Sequence, residues 1–495
     1  MKDKIKKLTK ETTLYGAALV IGRFINFLLT PLYTNYLTKD ENGFIIYIYT
    51  LIAFINIAYS FGMESSFFRF VKSDEKLDAV AYKFNEKKVF TNSYLSILFL
   101  SVINSLIIFG FSDSIAVTIP TNDATSGLIK LVALIPVLDA LVLIPFAYLR
   151  STNQALKFSM LRFLAIIVNV IANFLFLTQT NFGVWGVIYA NLISSAVALI
   201  IFLPIIFKHL ISKIDFSLLK QMLYFGIPTL PASFSAIILQ VADRQLMPFL
   251  TTADNLAIYG INYRLGIPMM IFVSMFEYAW KPFYLNHFKD ADAKVLFSKV
   301  LTYFTFASMI LILVWTFSLD YIIRLPFIGG KFINPEYWIG LRIVPIVLWG
   351  YFFNGVFTNL NAGFLIQKKT KYLPLIVGIA AVSNVVINLL VIPKYTYFGA
   401  AWATFAAYLI EAVVIYYFAM KIYPIKYEWG KVFKIIIPAT IILLFERAIY
   451  SYEINLTWLL FERMALMVIF AVSMYYLGII KSIDLSFIRR LIKRK

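Results

Sequence analysis

About fourteen apolar stretches of membrane-spanning length, each closed by a short polar break, leave one class of fold open to this chain. They run over residues 12–36, 42–63, 89–111, 127–149, 158–177, 183–205, 221–248, 255–280, 297–319, 339–362, 372–392, 398–420, 432–450 and 456–480. A crossing takes about 20 residues at 1.5 Å rise each, and unpaired backbone in hydrocarbon costs several kcal/mol. Alternating strands of the barrel kind do not occur, so the expectation is an all-α polytopic membrane protein. Composition agrees: 61% of the 495 residues are hydrophobic, against the roughly 45–50% of soluble domains. The first stretch is full length and lacks a small-residue cleavage pattern, so it is expected to remain as an anchor.

The formal charge of +19 is placed by topology. About 31 lysines and arginines fall in the N-terminus and in alternate loops, against about four on the opposite side, which makes the rich side cytoplasmic and puts both termini there. That pattern explains the basic balance through orientation and attraction to anionic membrane lipids, without nucleic acid. The chain has no cysteine, which excludes disulfides and thiolate chemistry. His209 and His287 read as loop residues, so no metal site is expected. Gly329-Gly330-Lys331 lacks phosphate-loop spacing, and Asp290-Ala291-Asp292 reads as a solvated charge run. The longest outer loop, Asp320 to Trp338, offers neither paired acids nor histidine. Catalytic residues and cofactors are expected to be absent.

The chain repeats itself. Asn169, Asn173, Phe182-Gly183 and Trp185 recur as Asn384, Asn388, Phe398-Gly399 and Trp402, offset by about 215 residues, an interval holding six helices. Parallel repeats about an axis along the membrane normal follow. The expected organisation is an N-terminal lobe over 1–210, a C-terminal lobe over 211–425, an extra hairpin over 426–480 and a basic tail over 481–495. In the hairpin, Leu443-Leu444-Phe445-Glu446-Arg447 and Leu459-Leu460-Phe461-Glu462-Arg463 flank the turn, so that Glu446 can meet Arg463 and Arg447 can meet Glu462. The tail places Leu485, Ile488, Leu491 and Ile492 on one face, as an interfacial basic helix would.

Buried charge carries the functional signal. An arginine at the bilayer centre costs about 2.5–3.5 kcal/mol on insertion scales, so it must face protein or water. Arg23 occupies the middle of the first stretch, sharing a helical face with Gly16, Asn26, Thr30 and Thr34. Arg264 reads as mid-span in the eighth. Asp243-Arg244 lies toward the outer third of the seventh, while Asp139 and Glu411 are central in the fourth and twelfth. Glu64, Arg69 and Arg162 sit at cytoplasmic ends, and Arg342 near an outer one. Two readings stand: cationic walls of an aqueous cavity built for an anion, or arginines paired with carboxylates for assembly alone.

Ile343-Val344-Pro345-Ile346, Gly363, Lys368-Lys369-Thr370-Lys371, Ile392-Pro393 and Gly399 to Thr404 resemble the polysaccharide transporter family of lipid-linked oligosaccharide flippases. So do Asp243-Arg244 with Ile258-Tyr259-Gly260, Ala279 to Phe283, and Pro31-Leu32-Tyr33-Thr34 with Gly62-Met63-Glu64 and Arg69-Phe70. The likeness spans essentially the whole chain. It implies the multidrug/oligosaccharidyl-lipid/polysaccharide superfamily, two six-helix lobes in alternating access, and a fourteen-helix form whose extra hairpin makes a groove for a polyprenyl tail. The cargo it implies is a polyprenyl-diphosphate oligosaccharide carried outward across a bacterial inner membrane, by a monomer, with glycan polymerase and assembly machinery as partners.

On that reading Arg23 and Arg264 bind the diphosphate, and Asn26, Thr30, Gln240 and Asn262 offer hydrogen bonds to sugars. Asp139, Asp243 and Glu411 are candidate cation carriers; Glu64, Arg69 and Arg162 form the cytoplasmic gate where the headgroup enters. The rivals are a multidrug exporter of the same superfamily, a membrane glycan polymerase or ligase, and a non-transporting scaffold.

Overall fold

Apolar stretches of this length hydrogen-bond internally as helices, and the computed structural model is helical almost throughout. It describes residues 20–25, 27–71, 79–121, 124–449 and 455–479. Asn26, the basic N-terminus, most of the hairpin's turn and the tail over 481–495 lie outside the described residues. Among those described, ten helices are long and apolar enough to cross a membrane, or eleven if Ala253–Arg264 and Ile267–His287 count as one broken span. The expected fourteen is therefore not matched one for one, for physical reasons. Leu373–Ile422 joins two expected spans in a helical run of 50 residues. At 1.5 Å per residue that is about 75 Å, more than twice a bilayer core. Thr396 interrupts it with φ 50° and ψ −130°, splitting it into two limbs. Trp429–Ile449 falls short of the apolar criterion because Lys431, Lys434, Glu446 and Arg447 lie within it.

The chain packs as two compact units. One gathers the described residues up to Ile267 with Phe327–Ile343 and Pro374–Ala407; the other holds Pro268–Pro326, Val344–Leu373 and the described residues from Tyr408 onward. In the first, Lys39–Ser60 begins at a reciprocal cap, Thr38 Oγ1 accepting from the Glu41 amide at 3.2 Å while Glu41 Oε2 accepts from the Thr38 amide at 2.8 Å. Ala253–Arg264 starts at Thr252, whose Oγ1 accepts from the Asn255 amide at 3.2 Å. These two helices meet through glycine. A Cβ on Gly43 would stand 2.4 Å from the Ala253 carbonyl oxygen, and one on Gly260 would stand 2.5 Å from Ile46. Because the obstacle to the first is backbone, Gly43→Ala is expected to lower stability by about 1–3 kcal/mol, read from thermal unfolding in detergent. Gly110→Ala, with nothing within 4 Å of the new methyl, should leave it unchanged.

The asparagine signature repeats in geometry as well as in sequence. Asn173 Nδ2 donates to the Asn169 backbone oxygen at 2.9 Å and to Asn169 Oδ1 at 3.1 Å; Asn388 makes the same bonds to Asn384 at 2.9 and 3.0 Å. The apolar core of the first unit forms around Phe67, Phe90, Ile144, Phe202 and Met222. His209, expected in a polar loop, instead ends the helix Gly183–His209 and is buried, its ring 4.3 Å from Tyr148 and 5.4 Å from Phe90. Helix Ile267–His287 likewise continues to His287.

In the second unit Trp280 packs on Phe297 and Tyr284 and donates to the Asn359 backbone oxygen at 3.2 Å. The terminal helix pair is tied to Ala293–Ile322 by Arg463. Its Nη2 donates to Glu446 at 2.6 Å and Asp320 at 2.7 Å, and its Nη1 to the Phe317 carbonyl at 2.8 Å. Of the two ion pairs expected from the repeated motif, Glu446 with Arg463 forms. Arg447 with Glu462 does not: Arg447 is exposed, and Glu462 Oε1 meets no partner.

Candidate functional site

Arg264 is the last residue of Ala253–Arg264, at the break before Ile267–His287. Arg264 is half-buried, and a guanidinium partly withdrawn from water needs compensation. Here that comes from aromatic faces. Its central carbon lies 5.6 Å from the centre of the Tyr33 ring, within cation–π range. Tyr33 is fixed by donating to Asn173 Oδ1 at 3.0 Å, and Tyr49 stands in hydrogen-bonding reach of both Tyr33 and Asn191. Arg264 also lies in the field of another arginine, Arg244. Arg244 in turn lies 4.0 Å over Tyr263, while one of its nitrogens donates to the Gln240 carbonyl at 3.4 Å. Among the described residues no carboxylate pairs with Arg264.

From these tyrosines a polar run continues through Asn191 and Ser195 to Asp139. Ser195 Oγ donates to Asp139 Oδ1 at 2.7 Å, and Asn56 stands at its other side. Asp139 lies in the field of Arg162, whose charged neighbours also include Arg150, Glu64 and Arg23. The structure thus gathers Arg23, Glu64, Asp139 and Arg162, four of the residues singled out from sequence, in one electrostatic cluster. Glu64 is ion-paired with Arg150, which stands 5.0 Å over Phe68. Arg162 lies 5.8 Å over Phe146, and exposed Arg69 lies 4.4 Å over Phe225. Arg23 and Arg264, expected to share one anionic group, belong to different charge neighbourhoods: Arg162 is near the first, Arg244 near the second.

Of the expected sugar contacts, Gln240 is exposed and Thr30 is buried with no partner for its hydroxyl. Asn262 spends its amide on the Ile258 and Tyr337 carbonyls at 2.8 and 2.9 Å, as packing. Asp243, 1% exposed, accepts from the Tyr259 hydroxyl, from Thr404 Oγ1 at 3.1 Å and from the Arg244 amide at 2.7 Å. Two hydroxyls and a backbone amide thus hold that carboxylate. Glu411, in the second unit, is 2% exposed, has Asn354 beside it, and one of its oxygens lacks a partner. Among the described residues no cluster of His, Asp or Glu could hold a metal.

Sequence reasoning missed Tyr33, Tyr49, Tyr263 and the part played by Arg244. The available signal was Tyr259, Tyr263 and Arg264 on adjoining turns, a pattern that aromatic packing produces equally well.

Among curated proteins none matches the chain closely enough to count as a relative. Solved structures do resemble it. The lipid II flippase MurJ in an inward closed conformation is 16% identical, with 94% of this chain and 99% of that one covered at a TM-score of 0.73. An inward-facing multidrug resistance MATE transporter of the MOP superfamily is 13% identical, covering 81% and 95% at 0.64. The MATE multidrug transporter DinF-BH is 16% identical, covering 84% and 95% at 0.59. At these identities the likeness shows the fold, that of the flippases and transporters of this superfamily. The model of one family, described as polysaccharide biosynthesis protein, matches residues 34–334. With more than half its length matched, the chain belongs to the polysaccharide biosynthesis protein family, as a multi-pass membrane protein with the fold of those solved structures.

Proposed function

We propose that this protein is a flippase that moves a polyprenyl-diphosphate-linked oligosaccharide from the cytoplasmic to the outer leaflet by alternating access, for cell-surface polysaccharide biosynthesis. One observation carries the reading: Arg264 and Arg244 lie in each other's field on tyrosine faces, and no acid is paired with Arg264. Like charges in a low-dielectric interior repel, and a dianion between them converts that cost into attraction. Planar guanidinium forks suit the oxygens of a diphosphate. Cationic drugs would call for acidic walls, so the multidrug alternative fits this arginine–tyrosine site poorly. The cluster of Arg23, Glu64, Asp139 and Arg162 lies on the headgroup's route, and the polyprenyl tail stays in lipid.

Outward movement of a headgroup with about two negative charges gains roughly 4–5 kcal/mol per 100 mV across a membrane that is negative inside. Bacterial inner-membrane placement, cytoplasmic termini, a monomeric carrier and contact with glycan polymerase machinery complete the proposal. Transport without chemical change to the cargo makes it a carrier and no enzyme. The direct test is reconstitution in vesicles with a fluorescent lipid-linked oligosaccharide, followed by an impermeant reagent that reads the outer-leaflet fraction. Equal exposure in protein-free vesicles would reject the function.

Asp243 is the preferred site of cation coupling, because its carboxylate is 1% exposed and held by hydroxyl and amide groups that a cation could displace. Asp243→Asn turns an acceptor toward those donors into an amide, and is expected to lower export about tenfold or more. The residual export should no longer respond when sodium or proton gradients are collapsed. An unchanged gradient response in that variant would remove Asp243 from coupling.

A further inference from the structure

One segment in the first unit has no counterpart among the elements expected from sequence. Phe327–Ile343, whose composition reads as outer loop and the start of a span, comprises the strand Gly330–Lys331 paired with Pro326–Phe327, followed by the 3-10 helix Pro335–Ile343. Tyr337 at its centre is 1% exposed. Its carbonyl accepts from Asn262 at 2.9 Å and its hydroxyl accepts from Asn42 at 2.9 Å. A single residue thereby bolts together two helices, Lys39–Ser60 and Ala253–Arg264. Around it, Asn35 Nδ2 donates to the Lys331 carbonyl at 2.6 Å, the Asn334 amide donates to Thr34 Oγ1 at 3.4 Å, and Lys39 pairs with Glu336 at 3.2 Å.

These anchor points adjoin residues of the arginine–tyrosine site. Thr34 follows Tyr33, and Asn262 precedes Arg264 by two positions on the same helix. The seat is tight: a Cβ on Gly340 would stand 2.2 Å from Asn262 Nδ2, and one on Gly330 would stand 2.6 Å from Asn35 Oδ1. Yet most of the bonds are polar, and a cleft of about 560 Å³ lined by Thr38, Asp40, Asp254, Asn334, Glu336 and Tyr337 lets water reach their flank. Hydrogen bonds exchanged for water cost only about 0.5–1.5 kcal/mol each. Such a contact can be broken and remade once per transport cycle.

We propose that Phe327–Ile343 is an outer strap, latched by Tyr337 onto Lys39–Ser60 and onto the helix that ends at Arg264, and that it must undock before cargo leaves the arginine–tyrosine site. The proposal rests on the flippase reading, but its movement can be measured without cargo.

Because the chain has no cysteine of its own, Asn35→Cys with Lys331→Cys gives one defined pair. Bridging it with a short, reducible bifunctional thiosulfonate should cut export at least tenfold. Reduction should restore the level of the single-cysteine variants, whereas export at the unbridged rate by the bridged protein overturns the strap. Spin labels on the same pair, in the reconstituted full chain, are expected to show a short and a longer distance. The longer one should gain population with Tyr337→Ala. One short distance in every sample overturns the proposal even if no variant moves any lipid-linked oligosaccharide, an outcome that would reject the flippase reading separately.

Discussion

Replacing Arg264 with alanine is expected to slow flipping of a lipid-linked oligosaccharide in vesicles about 100-fold. Hydrogen bonds to charged groups contribute about 1.5–3 kcal/mol each, and a bidentate pair on a diphosphate therefore exceeds about 2.7 kcal/mol, two decades in rate or affinity. Arg264→Lys keeps the charge and loses the fork, so it should recover about tenfold of that loss and no more. Tyr33 separates positioning from charge. Tyr33→Phe keeps the face beneath the guanidinium and gives up only the hydroxyl's contacts with Asn173 and Tyr49, whereas Tyr33→Leu removes the face. The expected order of rates is wild type, Tyr33→Phe, Tyr33→Leu, Arg264→Ala, at equal reconstituted protein and unchanged thermal midpoint. A wild-type rate for Arg264→Ala would leave the proposed flippase without its anion site.

The parts of this architecture that are legible in the sequence are those written in local pattern. Runs of apolar residues give the helices, and Asn169 with Asn173 and Asn384 with Asn388, paired by their spacing in the sequence, make the same bonds. Partners far apart in the chain leave no such trace. Tyr337 reaches Asn42 across 295 positions, and Arg463 reaches Asp320 across 143. Nothing in the local composition of Asp320 to Trp338 distinguishes a docked strap from a solvated loop. The break after Arg264 is equally hidden. Leu265 and Gly266 are compatible with an unbroken span, so from sequence the residue reads as mid-helix. Burial also decides what spacing cannot: Asn262 lies on a plausible polar face, but its amide is spent on two carbonyls.

The repeated motif in the terminal hairpin offers the largest expected effect on stability, because two arginines in nearly identical sequence have opposite surroundings. Arg463 is 4% exposed and holds Glu446, Asp320 and the Phe317 carbonyl together; Arg447 is exposed. Removing the cation with Arg463→Met strands two buried carboxyl groups beside each other, which costs about 3–5 kcal/mol. Arg447→Ala removes a solvated side chain and should stay within about 0.5 kcal/mol. Thermal unfolding in detergent reads both. Replacing the whole triad, Asp320→Leu with Glu446→Leu and Arg463→Leu, should recover most of the loss, since exchanging a buried ion cluster for apolar groups is often neutral or stabilising. That recovery also separates two roles. If the triple variant regains stability and still exports, the triad holds the hairpin in place and nothing more. If stability returns and export does not, the charges themselves serve the transport cycle, and the hairpin is part of the moving machinery.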